Sequence, residues 1–198
     1  MTSNETPSAG HGMSVYSNAS PDGSYGVTIT VGPDVVFQLD REQAIAYAAA
    51  CTTTAMHAEH QLAVLRLLIE GLKLDFPLAA QVVVRDLRTD RSSDDAATRP
   101  VKFEPTIGRR KGNPQVTSKY LPLVRVLING NELGCLDPDD VRDHAEGVLD
   151  ALMSARLDDR LFRYLTERID LDAGKARAVV GALSGYLPAD DGREPEEK

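Results

Sequence analysis

The chain has no tryptophan, only four phenylalanines and only two cysteines in 198 residues. With so few large π-faces, a stacking platform for single-stranded nucleic acid is poorly supported. Cys51 and Cys135 do not occupy corresponding places in the repeat described below, which argues against a disulfide framework. Long apolar runs are missing too: no window approaches the roughly 18 residues of a membrane span. The opening MTSNETPSAGHGMS has neither a basic start nor an apolar stretch. These absences set the expectation of a cytoplasmic protein without membrane contact. Positive charge is scarce, with 22 Lys and Arg against 30 Asp and Glu and a net charge of −8, which disfavours general binding to nucleic acid or anionic lipid. Nucleotide and hydrolase signatures are lacking as well. GRRKGN (108–113) does not have the GxxxxGK[ST] spacing of a phosphate loop, and no GxSxG or dinucleotide fingerprint occurs.

What is present is an ordinary apolar content of 42%, enough for one good core or two small ones. Arg supplies 16 of the 22 basic residues, a composition expected of a GC-rich bacterial or bacteriophage genome. The chain also repeats itself. Displaced by 97 positions without a gap, residues 27–83 match 14 of 57 partners, among them Leu39 and Asp40 with Leu136 and Asp137, and Leu74 and Asp75 with Leu171 and Asp172. Chance would supply roughly 4 to 5 in a chain of average composition.

Matched positions carry the same physical signals. VTITV (27–31) and VRVLI (124–128) are β-branched runs, each followed by a turn, Gly32-Pro33-Asp34 in one and Asn129-Gly130 in the other. The returning strands end on Leu-Asp. Asp40 with Gln43 forms a capping-box pattern, Asp137 precedes Pro138 at a helix start, and Asp75 and Asp172 recur as caps of a later helix. The fold expected is α+β and helix-rich, a tandem duplication of a ββααα module in a pseudo-two-fold arrangement. Ala44, Ala48, Cys51, Ala55, Ala58, Leu62, Leu65, Ile69 and Leu72 form a heptad seam, whose small first half lets a partner helix approach closely. In the second copy the register breaks at Asp159, which predicts a new helix capped by Asp158, and the first copy is expected to kink near His60.

The organisation read from these patterns is a flexible arm (1–24), a first module (25–89), a basic linker or arm (90–119), a second module (120–188) and an acidic flexible tail (189–198). Within the linker, Arg99, Lys102, Arg109, Arg110, Lys111 and Lys119 stand against Glu104 alone, a local charge of +5, so a basic hairpin arm could neutralise phosphates or meet an acidic protein surface. His57 and His60, three apart on a predicted helix, are weak metal candidates, since HxxH lacks the HExxH spacing and further ligands. The acids of DPDDVRD (137–143) suit a helix's first turn better than a calcium loop. No catalytic residue and no cofactor is assigned. The expectation is a non-enzymatic interaction or regulatory protein acting through its surfaces and central arm, with a protein partner or self-association as a homodimer. Its rivals are nucleic-acid binding through residues 99–119 and a metal-dependent enzyme centred on His57 and His60.

Overall fold

The computed structural model describes residues 13–19, 25–31, 35–86, 101–109 and 117–183. They form two three-stranded antiparallel sheets and four helices in the order βββαα, βββαα. The first sheet is β1 (Met13–Ala19), β2 (Tyr25–Val31) and β3 (Val35–Leu39), followed by α1 (Arg41–Arg66) and α2 (Phe76–Asp86). The second is β4 (Val101–Arg109), β5 (Tyr120–Ile128) and β6 (Asn131–Leu136), followed by α3 (Pro138–Arg163) and α4 (Ala173–Leu183).

The signals at the helix starts act as their chemistry requires. Asp40 Oδ1 accepts from the Gln43 amide at 2.8 Å and Gln43 Oε1 accepts from the Asp40 amide at 3.0 Å, closing the capping box. Asp137 accepts from the Asp139 amide at 3.1 Å with Pro138 as first helical residue. Asp75 accepts from Leu78 at 3.1 Å, and Asp172 from Gly174 at 2.9 Å and Lys175 at 3.2 Å. At the β5–β6 turn Asn129 and Gly130 both take positive φ, 49° and 82°, the conformation that suits an Asn-Gly hairpin. The corresponding Gly32-Pro33-Asp34 lies outside the described residues.

Three features differ from expectation. Each sheet has a third strand, β1 and β4, in segments read as arm and linker. Both carry enough alternation to pair: Met13 and Val15 in one, Val101, Phe103 and Ile107 in the other. Pro105 is tolerated because β4 is an edge strand. Second, α3 does not break at Asp159. Asp158 is buried and accepts from Ser17 Oγ of β1 at 3.3 Å, so its carboxylate serves a tertiary contact rather than a cap. Third, α1 runs past His60 without a break, and each long helix instead ends in a five-residue π turn, Leu67–Gly71 and Tyr164–Arg168. Lys73 and Asp170 then reverse the chain with φ of 56° each.

The heptad seam of α1 is buried from Ala44 through Ile69, and only Leu72 at its end is exposed. It does not face its own sheet. β4 and β5 pack chiefly on α1, β1 and β2 pack chiefly on α3, and α1 and α3 pack on each other. One core therefore draws on both halves, with Val27, Ile29 and Val31 from one sheet, Val101, Val124 and Val126 from the other, and the small residues of both long helices between them. A second cluster, Leu62, Leu65, Ile69, Ala79, Val83 and Tyr120, closes the far end of α1.

Candidate interaction surface

The residues singled out for charge do not converge. Lys102 is exposed and its Nζ lies 3.0 Å from Glu104 Oε1, a pair that spends the positive charge locally. Arg109 and Lys119 lie at the same end of the β4–β5 pair, where Arg109 is registered opposite Tyr120, and the guanidinium stands over the Tyr120 ring at 5.9 Å. Lys102, seven residues back along the strand, is roughly 23 Å away. Arg99, Arg110 and Lys111 lie outside the described residues. His57 is half-buried and His60 exposed on α1, and among the described residues no group of three or more His, Cys, Asp or Glu is placed to hold a metal ion.

The polar clusters that sequence reading missed sit where the halves join. Tyr47 of α1 and His144 of α3 are 97 residues apart and touch, with the hydroxyl 3.0 Å from Nε2 and the rings edge to face at 5.7 Å. Phe37 and Phe103 pack on the same Tyr47 ring at 6.0 and 5.7 Å. Burial holds the His144 pKa below the ordinary histidine value, and burial with Cys51 beside it pushes the Tyr47 hydroxyl upward, so both groups are neutral. Such a pair, enclosed by aromatics, orients two helices. Near the other end of α3, Tyr25 and Arg177 flank Phe162, with Asp158 beside them, and the Tyr25 hydroxyl is pushed up by burial and then by Asp158. Cys135, the exposed thiol, is raised by desolvation and by Glu132, the opposite of what a thiolate nucleophile needs.

The outer face of α1 is unusual for a surface helix. A solvated face normally carries charge, yet residues 43–58 contain no Asp, Glu, Lys or Arg. Ile45 is 45% exposed and Met56 58% exposed on one helical row with Ala49, Thr52, Ala63 and Leu67, all exposed. The sequence signal for this row was the uncharged run itself, overshadowed by the heptad seam on the other side of the same helix. The corresponding row of α3 has Leu149, Met153 and Tyr164 exposed but is interrupted by Arg142, Glu146, Arg156 and Arg160. Arg142 reaches across from α3 to Glu59 of α1 and marks the rim of the uncharged stretch. Among the described residues no helix is long and apolar enough to cross a membrane. No family model matches the chain, and neither a curated protein nor a solved structure matches it.

Proposed function

We propose that this chain is a non-enzymatic interaction or regulatory protein, a tandem duplication whose two modules brace each other about a pseudo-two-fold axis and present the outer face of α1 to a protein partner. The duplication is supported by boundaries that recur 97 residues on: both long helices, both π turns, the positive-φ residues Lys73 and Asp170, and both closing helices. Reciprocal packing, each sheet on the other half's helix, is what a two-fold exchange between two copies of one module produces. The observation that carries the interaction reading is the uncharged, exposed row from Ile45 to Met56. Single exposed apolar residues are commonplace, but a continuous uncharged helix face is a contact surface in search of cover.

A second reading, nucleic-acid binding, is favoured only by Arg109 and Lys119 sharing one end of the β4–β5 pair. Affinity capture of the tagged protein from its native lysate separates the two. Capture that survives nuclease and is lost with Met56→Asp is expected. Capture that vanishes with nuclease, and with Arg109→Ala and Lys119→Ala but not with Met56→Asp, would overturn the first reading in favour of the second.

A further inference from the structure

Within each half the long helix has little to lean on. α1 touches β2 and β3 of its own half only lightly, and α3 touches β5 only lightly. Without residues 101–183 the seam of Ala44, Ala48, Cys51, Ala55 and Ala58 would lose Val101, Val124 and Val126 of the opposite sheet, and Val141, Ala145 and Val148 of α3. A bare apolar stripe of that length needs cover. The structure shows what covers it, because its complement is the other half of the same chain. Tyr47 with His144, Ser17 with Asp158 and Glu59 with Arg142 all run between residues 13–86 and residues 101–183.

We propose that a second copy of this chain supplies that cover by exchange of halves, residues 13–86 of each copy packing on residues 101–183 of the other to give a closed two-fold dimer. Every apolar contact, hydrogen bond and ion pair of the join is remade unchanged, so no new surface has to be complementary. The balance between single chain and dimer is then set by the connection and not by the interface. Residues 87–100 make a connection of 14 residues, which reaches up to about 50 Å when extended and holds a chain's own halves at an effective concentration on the order of mM. A dilute chain therefore closes on itself, whereas chains that fold side by side at high concentration exchange. Opening either form exposes the shared core, so the form made during folding persists afterwards. The heptad seam is the surface exchanged. The outer face of α1 stays outside in both forms, so exchange neither needs nor blocks the partner proposed for it.

The test is to unfold the full-length wild-type chain in urea, refold it at rising concentrations, dilute all samples to one concentration and weigh them by light scattering. The mass of one chain is expected after dilute refolding. After concentrated refolding a growing share is expected at the mass of two chains, and it survives the dilution. Two variants identify the contact, Glu59→Cys in one chain and Arg142→Cys in another, both with Cys135→Ser to remove the exposed thiol. Refolded together at high concentration and treated with a short bismaleimide, they should yield a covalent pair containing one of each. Folded apart and then mixed, they should yield none. Glu59→Cys and Arg142→Cys placed in one chain and refolded dilute should bridge within that chain, and circular dichroism shows that the variants stay folded. A wild-type mass of one chain at every refolding concentration overturns the proposal. So does a covalent pair formed as readily by mixing folded chains, or a dimer that fails to cross-link where the double variant does, since either means a contact other than exchange.

Discussion

Thr28 sits in the central strand of the first sheet at 1% exposure, and its Oγ1 has no hydrogen-bond partner among the described residues. A buried hydroxyl without a partner loses its water and gains nothing in return, so Thr28→Val, close in shape, should stabilise the fold by about 1 kcal/mol or more. The midpoint of urea unfolding measures it, and a fall in the midpoint would show that the hydroxyl has a hidden partner. His144 makes a second prediction at this scale. Its folded pKa is depressed by burial against Tyr47 and Phe103, so between that value and the unfolded value of about 6.5 the unfolded chain binds more protons. The stability tied to neutral His144 is fully present above about pH 6.5 and is lost as pH falls through the folded value. His144→Gln should therefore lose less stability than wild type between about pH 7.5 and about pH 5, and identical pH slopes would remove His144 from the balance. Neither Thr28 nor the Tyr47–His144 contact could be read from sequence, because both depend on what lies across the fold rather than along the chain.

At the scale of elements, the helix caps carry a graded prediction. Asp40 closes a two-way box, whereas Asp137 makes one side-chain bond beside a proline already set for the first turn. Asp40→Ala should cost about 1 kcal/mol, and Asp137→Ala less. Equal losses in urea unfolding would mean that the reciprocal Gln43 bond adds nothing. These caps, the Asn129-Gly130 turn and the buried side of α1 were legible because each is local chemistry, a side chain acting on amides two or three residues away or a periodicity within one helix. The third strand of each sheet was not. Met13 pairs with Val31 and Val101 with Ile128, so β1 and β4 occupy equivalent places in their sheets, but they lie 88 residues apart rather than 97. Strand connections of unequal length hide that equivalence from any ungapped comparison. Asp158 was misread for a related reason. Asp before an apolar pair resembles a cap, and only the arrival of Ser17 from a strand more than a hundred residues earlier turns it into a buried helix-interior residue.

At the scale of the whole molecule, the two halves are bound by exchange. Each sheet covers the other half's long helix, so neither half has a complete core of its own, and the sides of α1 and α3 turned away from the sheets are left to the outside. The two outer faces then diverge, charged on α3 and uncharged on α1, which is the asymmetry expected where one face is covered and the other stays in water. Met56 and Met153 report on this with a built-in control, since they occupy corresponding places and are 58% and 56% exposed in the single chain. The measurement that bears most directly on the assignment of α1 as the contact face is mild peroxide oxidation of the protein in its native lysate, followed by mass spectrometry of both methionines. Protection of Met56 with full oxidation of Met153 is predicted; equal rates at the two sites would mean that nothing covers α1.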